Sequence, residues 1–144
     1  MYRKVTKLKP IIMVKKRYWL SIVIWAAIIL ILCGMPPQDV DKVKFFDFPY
    51  QDKVVHFALY FVLAMLIMAI LTLNSRLKNS KWTYALTILI CLLYGWLIEI
   101  LQRTFFTGRS FEWMDVAADT AGAVVGVLLY KRVSRWVKGR FKTI

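Results

Sequence analysis

The sequence predicts an all-α fold: a polytopic membrane protein in which four transmembrane helices pack as one bundle, with both termini in the cytoplasm. Three observations predict it. AVILMFWYC make up 60% of the chain and the mean hydropathy is +0.57, whereas a soluble domain usually holds its apolar fraction near ~45–50% including glycine. The apolar residues come as long blocks with charged punctuation between them, not as the alternation of a half-buried surface helix or strand. Lys and Arg cluster just outside those blocks, unequally on alternate sides.

Four blocks approach the ~20 residues needed to cross ~30 Å of hydrocarbon: 19–35, 56–73, 82–101 and 114–130. The fourth carries Asp115 and Asp119 but is otherwise small and apolar, the composition of a helix packed inside a bundle. Tyr18, Trp19, Trp82, Trp113 and Trp136 fall at or just beyond block ends, where amphipathic rings favour the headgroup level. The expected organisation is a basic cytoplasmic segment at 1–17, a membrane domain at 18–130 and a basic cytoplasmic tail at 131–144. The first block is too long and too poorly punctuated for a cleaved signal peptide. Leu32 before Cys33 also lacks the small residue of a lipoprotein cleavage site, so a retained anchor is expected.

Orientation follows from counting cations. Seven Lys and Arg lie in 1–17, three in 36–53, three in 74–81, two in 102–113 and six after Tyr130, so alternate segments hold sixteen and five. The positive-inside rule places both termini and the 74–81 turn in the cytoplasm of a cell inner membrane. All eight acids fall toward the other face: Asp39, Asp41, Asp47 and Asp52 in the first outer loop, Glu112 in the second, and Glu99, Asp115 and Asp119 close to it. The first outer loop, with Pro36-Pro37 and an aromatic run from Phe45 to Tyr50, is expected as an interfacial linker.

The net charge of +13 is explained by these flanking cations, so nucleic acid is not an expected partner and membrane lipids are. Cys33 and Cys91 both fall inside apolar blocks, which argues against a disulfide framework or a thiolate metal site. A phosphate-cradling glycine loop, a Gly-x-Ser-x-Gly elbow and a cysteine nucleophile in a polar setting are all missing from the sequence.

The polar residues near the outer ends pair at helical spacing. Asp52, His56 and Tyr60 step by four with Lys53 beside them; Glu99 and Gln102 are three apart; Asp115, Asp119, Gly122 and Gly126 form one stripe. Charged groups at helix-centre depth cost roughly 2.5–3.5 kcal/mol and normally face the bundle or a wet cavity. An outward-facing polar pocket of Asp52, Lys53, His56, Glu99, Gln102, Arg109, Asp115 and Asp119 is therefore expected. One reading makes His56, Glu99 and Asp115 acid–base groups, with Asp52, Lys53, Gln102, Arg109 and Asp119 binding a ligand and the two cations gripping phosphate. Another makes the same residues hydrogen-bonded glue that fixes helix register. Gly122 and Gly126 are expected as a close-packing surface, open to a partner helix if the chain is a non-catalytic scaffold. Proton-coupled transport fits less well, because no polar path continues inward. A metal held by His56 with Asp52, Glu99 or Asp115 is chemically conceivable, but no His-x-x-x-His or Glu-x-x-His pair exists, so none is expected; the spacing names no cofactor.

Taken in order, Asp52-Lys53-Val54-Val55-His56, Glu99-Ile100-Leu101-Gln102, Arg109, and the run from Asp115 through Asp119 to Gly122 resemble the VanZ family over roughly residues 51–129. That family's pattern runs D-K-x-x-H, E-x-x-Q, R, and D-x-x-x-N-x-x-G. Asp119 stands where the family has Asn, replacing a neutral amide with an ionisable group. The resemblance implies a small bacterial cell-envelope protein, related to a namesake linked to low-level teicoplanin resistance. Its implied ligand is a lipid-linked glycan, an envelope precursor or a lipid headgroup, and the motif match carries Asp52, Lys53, His56, Glu99, Gln102, Arg109, Asp115 and Gly122 into its site.

Overall fold

A computed structural model of the protein describes residues 2–35, 50–73, 77, 80–106 and 108–140, with the backbone alone for 2–12, 138 and 140. Four helices account for nearly all of them: α1 Tyr2–Cys33, α2 Gln51–Leu71, α3 Lys81–Phe105 and α4 Trp113–Arg140. No strand occurs among the described residues. Each helix contains a span long and apolar enough to cross a membrane, Met13–Cys33, Gln51–Leu71, Lys81–Phe105 and Trp113–Val137. At 1.5 Å per residue, even the shorter spans of 21 residues reach about 31 Å, the thickness of the hydrocarbon layer. The chain is a multi-pass membrane protein.

The helices overrun the apolar blocks for two reasons. α1 and α4 continue into the basic segments expected as separate flanks, because Lys and Arg are good helix formers and hydropathy marks only the part lying in lipid. α2 starts at Gln51 and α3 runs to Phe105 because the polar residues that closed those blocks are themselves helical, Gln102 buried and Asp52 and Arg103 exposed. Ser80 caps α3 by accepting a hydrogen bond from the Trp82 amide. The proline-aromatic stretch 36–49, most of the 74–81 turn and residues 141–144 lie outside the described residues.

The main seam joins α2 to α4; α3 packs on α4, and α1 leans on α2 and only touches α3. Lipid tails are as apolar as the helices, so close van der Waals contact holds such a seam together. Small residues permit it. A Cβ added at Gly122 would overlap the carbonyl oxygen of Phe57, and one at Gly126 would meet the Phe61 carbonyl at 2.8 Å and the Ala64 methyl at 3.1 Å. The glycine stripe is thus filled by α2 of the same chain, which leaves no room there for an outside helix.

α1 is held differently. Trp19, Leu20, Val23, Ile24 and Ile31 are exposed to the surroundings, while two side chains hook the helix to its neighbours. Trp25 Nε1 donates to the Leu59 carbonyl at 2.9 Å, and the Tyr94 hydroxyl donates to the Ala26 carbonyl at 2.7 Å. Interhelical hydrogen bonds in membranes average ~0.6 kcal/mol with a maximum near ~1.7. Tyr94→Phe is expected to lower stability by about that average, read by reversible unfolding in mixed micelles; a loss well beyond the maximum would mean that the hydroxyl does more than tether α1.

Candidate functional site

The polar residues singled out by spacing converge at one end of the bundle, where the C-terminus of α1 meets the N-terminus of α2, the C-terminus of α3 and the N-terminus of α4. The first turn of α2 brings in Lys53. Its ammonium lies 2.6 Å from Asp52 Oδ2, 2.7 Å from Asp115 Oδ1 and against Glu112 Oε2, so one cation is shared by three carboxylates. One turn on, His56 is buried in the bundle. Its Nδ1 lies 3.0 Å from Asp119 Oδ1, and its Nε2 lies 3.9 Å from Asp115 Oδ2 and 3.8 Å from Cys33 Sγ. Asp52 and His56 therefore share a helix but not a partner.

α3 supplies the deepest carboxylate. Glu99 is fully buried; its Oε2 accepts from the Glu112 amide at 2.8 Å, and its Oε1 has no hydrogen-bond partner among the described residues. Gln102 Nε2 donates to the Cys33 carbonyl at 2.7 Å, tying α3 to the last turn of α1, and its Oε1 is likewise unpartnered among the described residues. Arg109 reaches back to the same region, with Nε and Nη2 donating to the Met35 carbonyl at 3.1 and 2.8 Å. On α4, Asp119 is buried with Oδ2 unpaired among the described residues. Gly95 makes the room it needs, since a Cβ there would stand 2.6 Å from that oxygen.

The two cations meet different partners. Lys53 is engaged by three acids, while Arg109 gives Nε and Nη2 to a neutral backbone carbonyl and keeps its charge. Asp52, Glu99, Glu112, Asp115 and Asp119 outnumber Lys53 and His56, and the cluster draws positive charge. Two acidic groups have the proximity that a metal needs, with donor atoms all within 4.8 Å of one another: His56, Glu99 and Asp115, all buried, and Asp52, Glu112 and Asp115, where Lys53 already sits.

Three participants escaped the sequence reading. Cys33 reads from the sequence only as a cysteine inside an apolar block, although it lies two residues from the acidic-side end of that block. Glu112 had looked like a loop acid, although it precedes Asp115 by three. Gly95 lies four before Glu99, the spacing at which a helical neighbour shares its face. A cavity of about 540 Å3 opens at the opposite, basic end, lined among others by Tyr18, Thr72, Tyr84, Tyr130, Lys131 and Arg135. It has no carboxylate in its wall, so the acid–base groups and this cavity occupy opposite ends.

An uncharacterised protein of the fission yeast Schizosaccharomyces pombe is 32% identical over 81 residues, covering 56% of this chain and 47% of the yeast protein. About half of that relative is matched. No solved structure matches the chain. The sequence profile of VanZ/LLP1 matches residues 17–136, which takes in all four spans from their apolar parts onward and every residue of the acidic cluster. The chain belongs to the VanZ/LLP1 family.

Proposed function

We propose that this is an envelope membrane protein whose acidic end faces the exoplasmic side, with both termini in the cytoplasm. There it binds the phosphorylated headgroup of a membrane lipid or lipid-linked glycan precursor and moves a proton on it. The observation that carries the reading is incomplete pairing. Register-fixing glue accounts for Lys53, whose ammonium meets three carboxylates, and for the Arg109 Nε and Nη2 that meet the Met35 carbonyl. It does not account for Glu99 Oε1, Gln102 Oε1 and Asp119 Oδ2, buried acceptors left without a donor among the described residues. Buried polar atoms are nearly always satisfied, so three orphan acceptors in one cluster call for a ligand that brings donors or positive charge to them, such as the hydroxyl or ammonium groups of a headgroup or a cation bound with its phosphate.

His56 is the proton carrier in this scheme. Asp119 takes its Nδ1–H, which fixes the ring and leaves Nε2 free to accept a proton from a bound hydroxyl or water. Glu99 and Asp115 flank the place where that proton and the headgroup meet. Similarity to a fission-yeast protein favours a phosphorylated lipid of a kind common to bacterial and eukaryotic membranes over a ligand confined to bacterial walls. A role in teicoplanin resistance would follow only where the bound lipid carries a wall precursor.

Native mass spectrometry of the purified protein with its co-purifying lipids tests the proposal. An anionic lipid should survive on the wild type and be lost from His56→Ala and Glu99→Gln, both of which should still melt cooperatively. A wild type that carries no specific lipid, or variants that keep it equally well, would remove the basis for this function.

A further inference from the structure

We propose that His56, Glu99 and Asp115 hold one divalent metal ion of the Mn2+ and Zn2+ class, an inference that rests on reading the acidic end as a binding site. Bonds from such ions to nitrogen and oxygen run about 2.0–2.2 Å, so two donors on one ion stand at most about 4.4 Å apart. His56 Nε2 and Asp115 Oδ2 are already 3.9 Å apart, and with a Glu99 carboxylate oxygen the three donors lie within 4.8 Å of one another. Side-chain rotations of a few tenths of an ångström close the remaining gap.

Two further observations point to an ion. Glu99 is fully buried with one oxygen unpartnered among the described residues. Behind His56, Asp119 holds Nδ1 at 3.0 Å, which aims Nε2 forward as the carboxylate behind a metal-bound histidine does. The neighbouring group of Asp52, Glu112 and Asp115 serves as an internal contrast. It has the same donor proximity, yet the Lys53 ammonium occupies it. In the His56 group Lys53 reaches only Oδ1 of the shared Asp115, and His56 and Glu99 have no contact with it among the described residues. One imidazole with two carboxylates suits Mn2+ or Zn2+ better than Mg2+ or Ca2+, which prefer oxygen throughout. With such an ion bound, His56 Nε2 is a ligand and no longer the proton acceptor, a task that passes to an unligated carboxylate oxygen of Glu99 or Asp115, and the ion adds positive charge for a phosphate.

The test uses the full chain in lipid nanodiscs, stripped with chelator and titrated separately with Mn2+ and Zn2+. Elemental analysis counts bound ions, and the spin resonance of free Mn2+ follows binding directly. One ion per chain is expected, with binding abolished in Glu99→Gln and weakened tenfold or more in Asp119→Asn, whose melting checks that the fold persists. Glu112→Gln, which alters only the carboxylates around Lys53, should keep the ion. A wild type that takes up neither metal overturns the proposal, as does uptake lost in Glu112→Gln but kept in Glu99→Gln. The same stripped samples go through the lipid measurement, which separates the two readings. Lipid retained by a protein that binds no metal sinks the ion alone, while one ion per chain without any retained lipid supports the ion and sinks the lipid.

Discussion

Gly122→Leu should leave little folded protein in the membrane. The obstacle is backbone: a Cβ at this position overlaps the Phe57 carbonyl oxygen and presses on its carbonyl carbon and Cα, none of which can rotate away. The α2–α4 seam must then open where His56 meets Asp119, one turn from the glycine. Overpacking of a tight core costs about 1–3 kcal/mol even when side chains can give way, so a clash with main chain belongs at or above the top of that range. Extraction in mild detergent followed by size exclusion and thermal melting would read the loss. Gly139→Ala is the control, because an added Cβ there meets nothing within 4 Å. A monodisperse Gly122→Leu protein melting with the wild type would mean that α2 and α4 do not pack on this glycine.

What the sequence made legible follows the physics of each signal. The number of spans was readable because ~20 apolar residues in a row have few other uses, and all four appear within a few residues of where hydropathy put them. The gathering of the polar residues at one end of the bundle was readable too, since the charge asymmetry and the spacing within each helix survive any packing. Pairing between helices was not. Asp52 and His56 look like one stripe, yet Asp52 turns to Lys53 while His56 turns to Asp119, 63 residues away. How far α2 is rotated against α4 depends on Gly122 seating on Phe57, a contact that no single-helix pattern contains. Cys33 and Gly95 were invisible for the same reason, because their importance lies in what stands opposite them. Spacing also shows where Lys53 sits and not how many acids surround it.

Lys53→Met is the second large effect, and it follows from that crowding. The ammonium is mostly buried among Asp52, Glu112 and Asp115, of which Asp115 is itself buried and the other two are half exposed. Removing one partner of a buried ion pair typically costs 3–5 kcal/mol because the remaining charge is left uncompensated. Water reaching Asp52 and Glu112 screens part of that, so about 2–3 kcal/mol is expected from unfolding in mixed micelles. Adding Asp115→Asn should return much of the loss by removing the buried charge that Lys53 had balanced. Equal instability of the single and double variants would show that the methionine disturbs packing and that the charge was not the cause. The same variant carries a second consequence. With its ammonium gone, the Asp52, Glu112 and Asp115 group has the donor proximity of a cation site, so Lys53→Met should take up two ions per chain where the wild type takes one. The native arrangement then amounts to a division of labour within one acidic cluster: a lysine neutralises the half that opens toward water, and the buried half, built around His56 and Glu99, is left for a cation from outside.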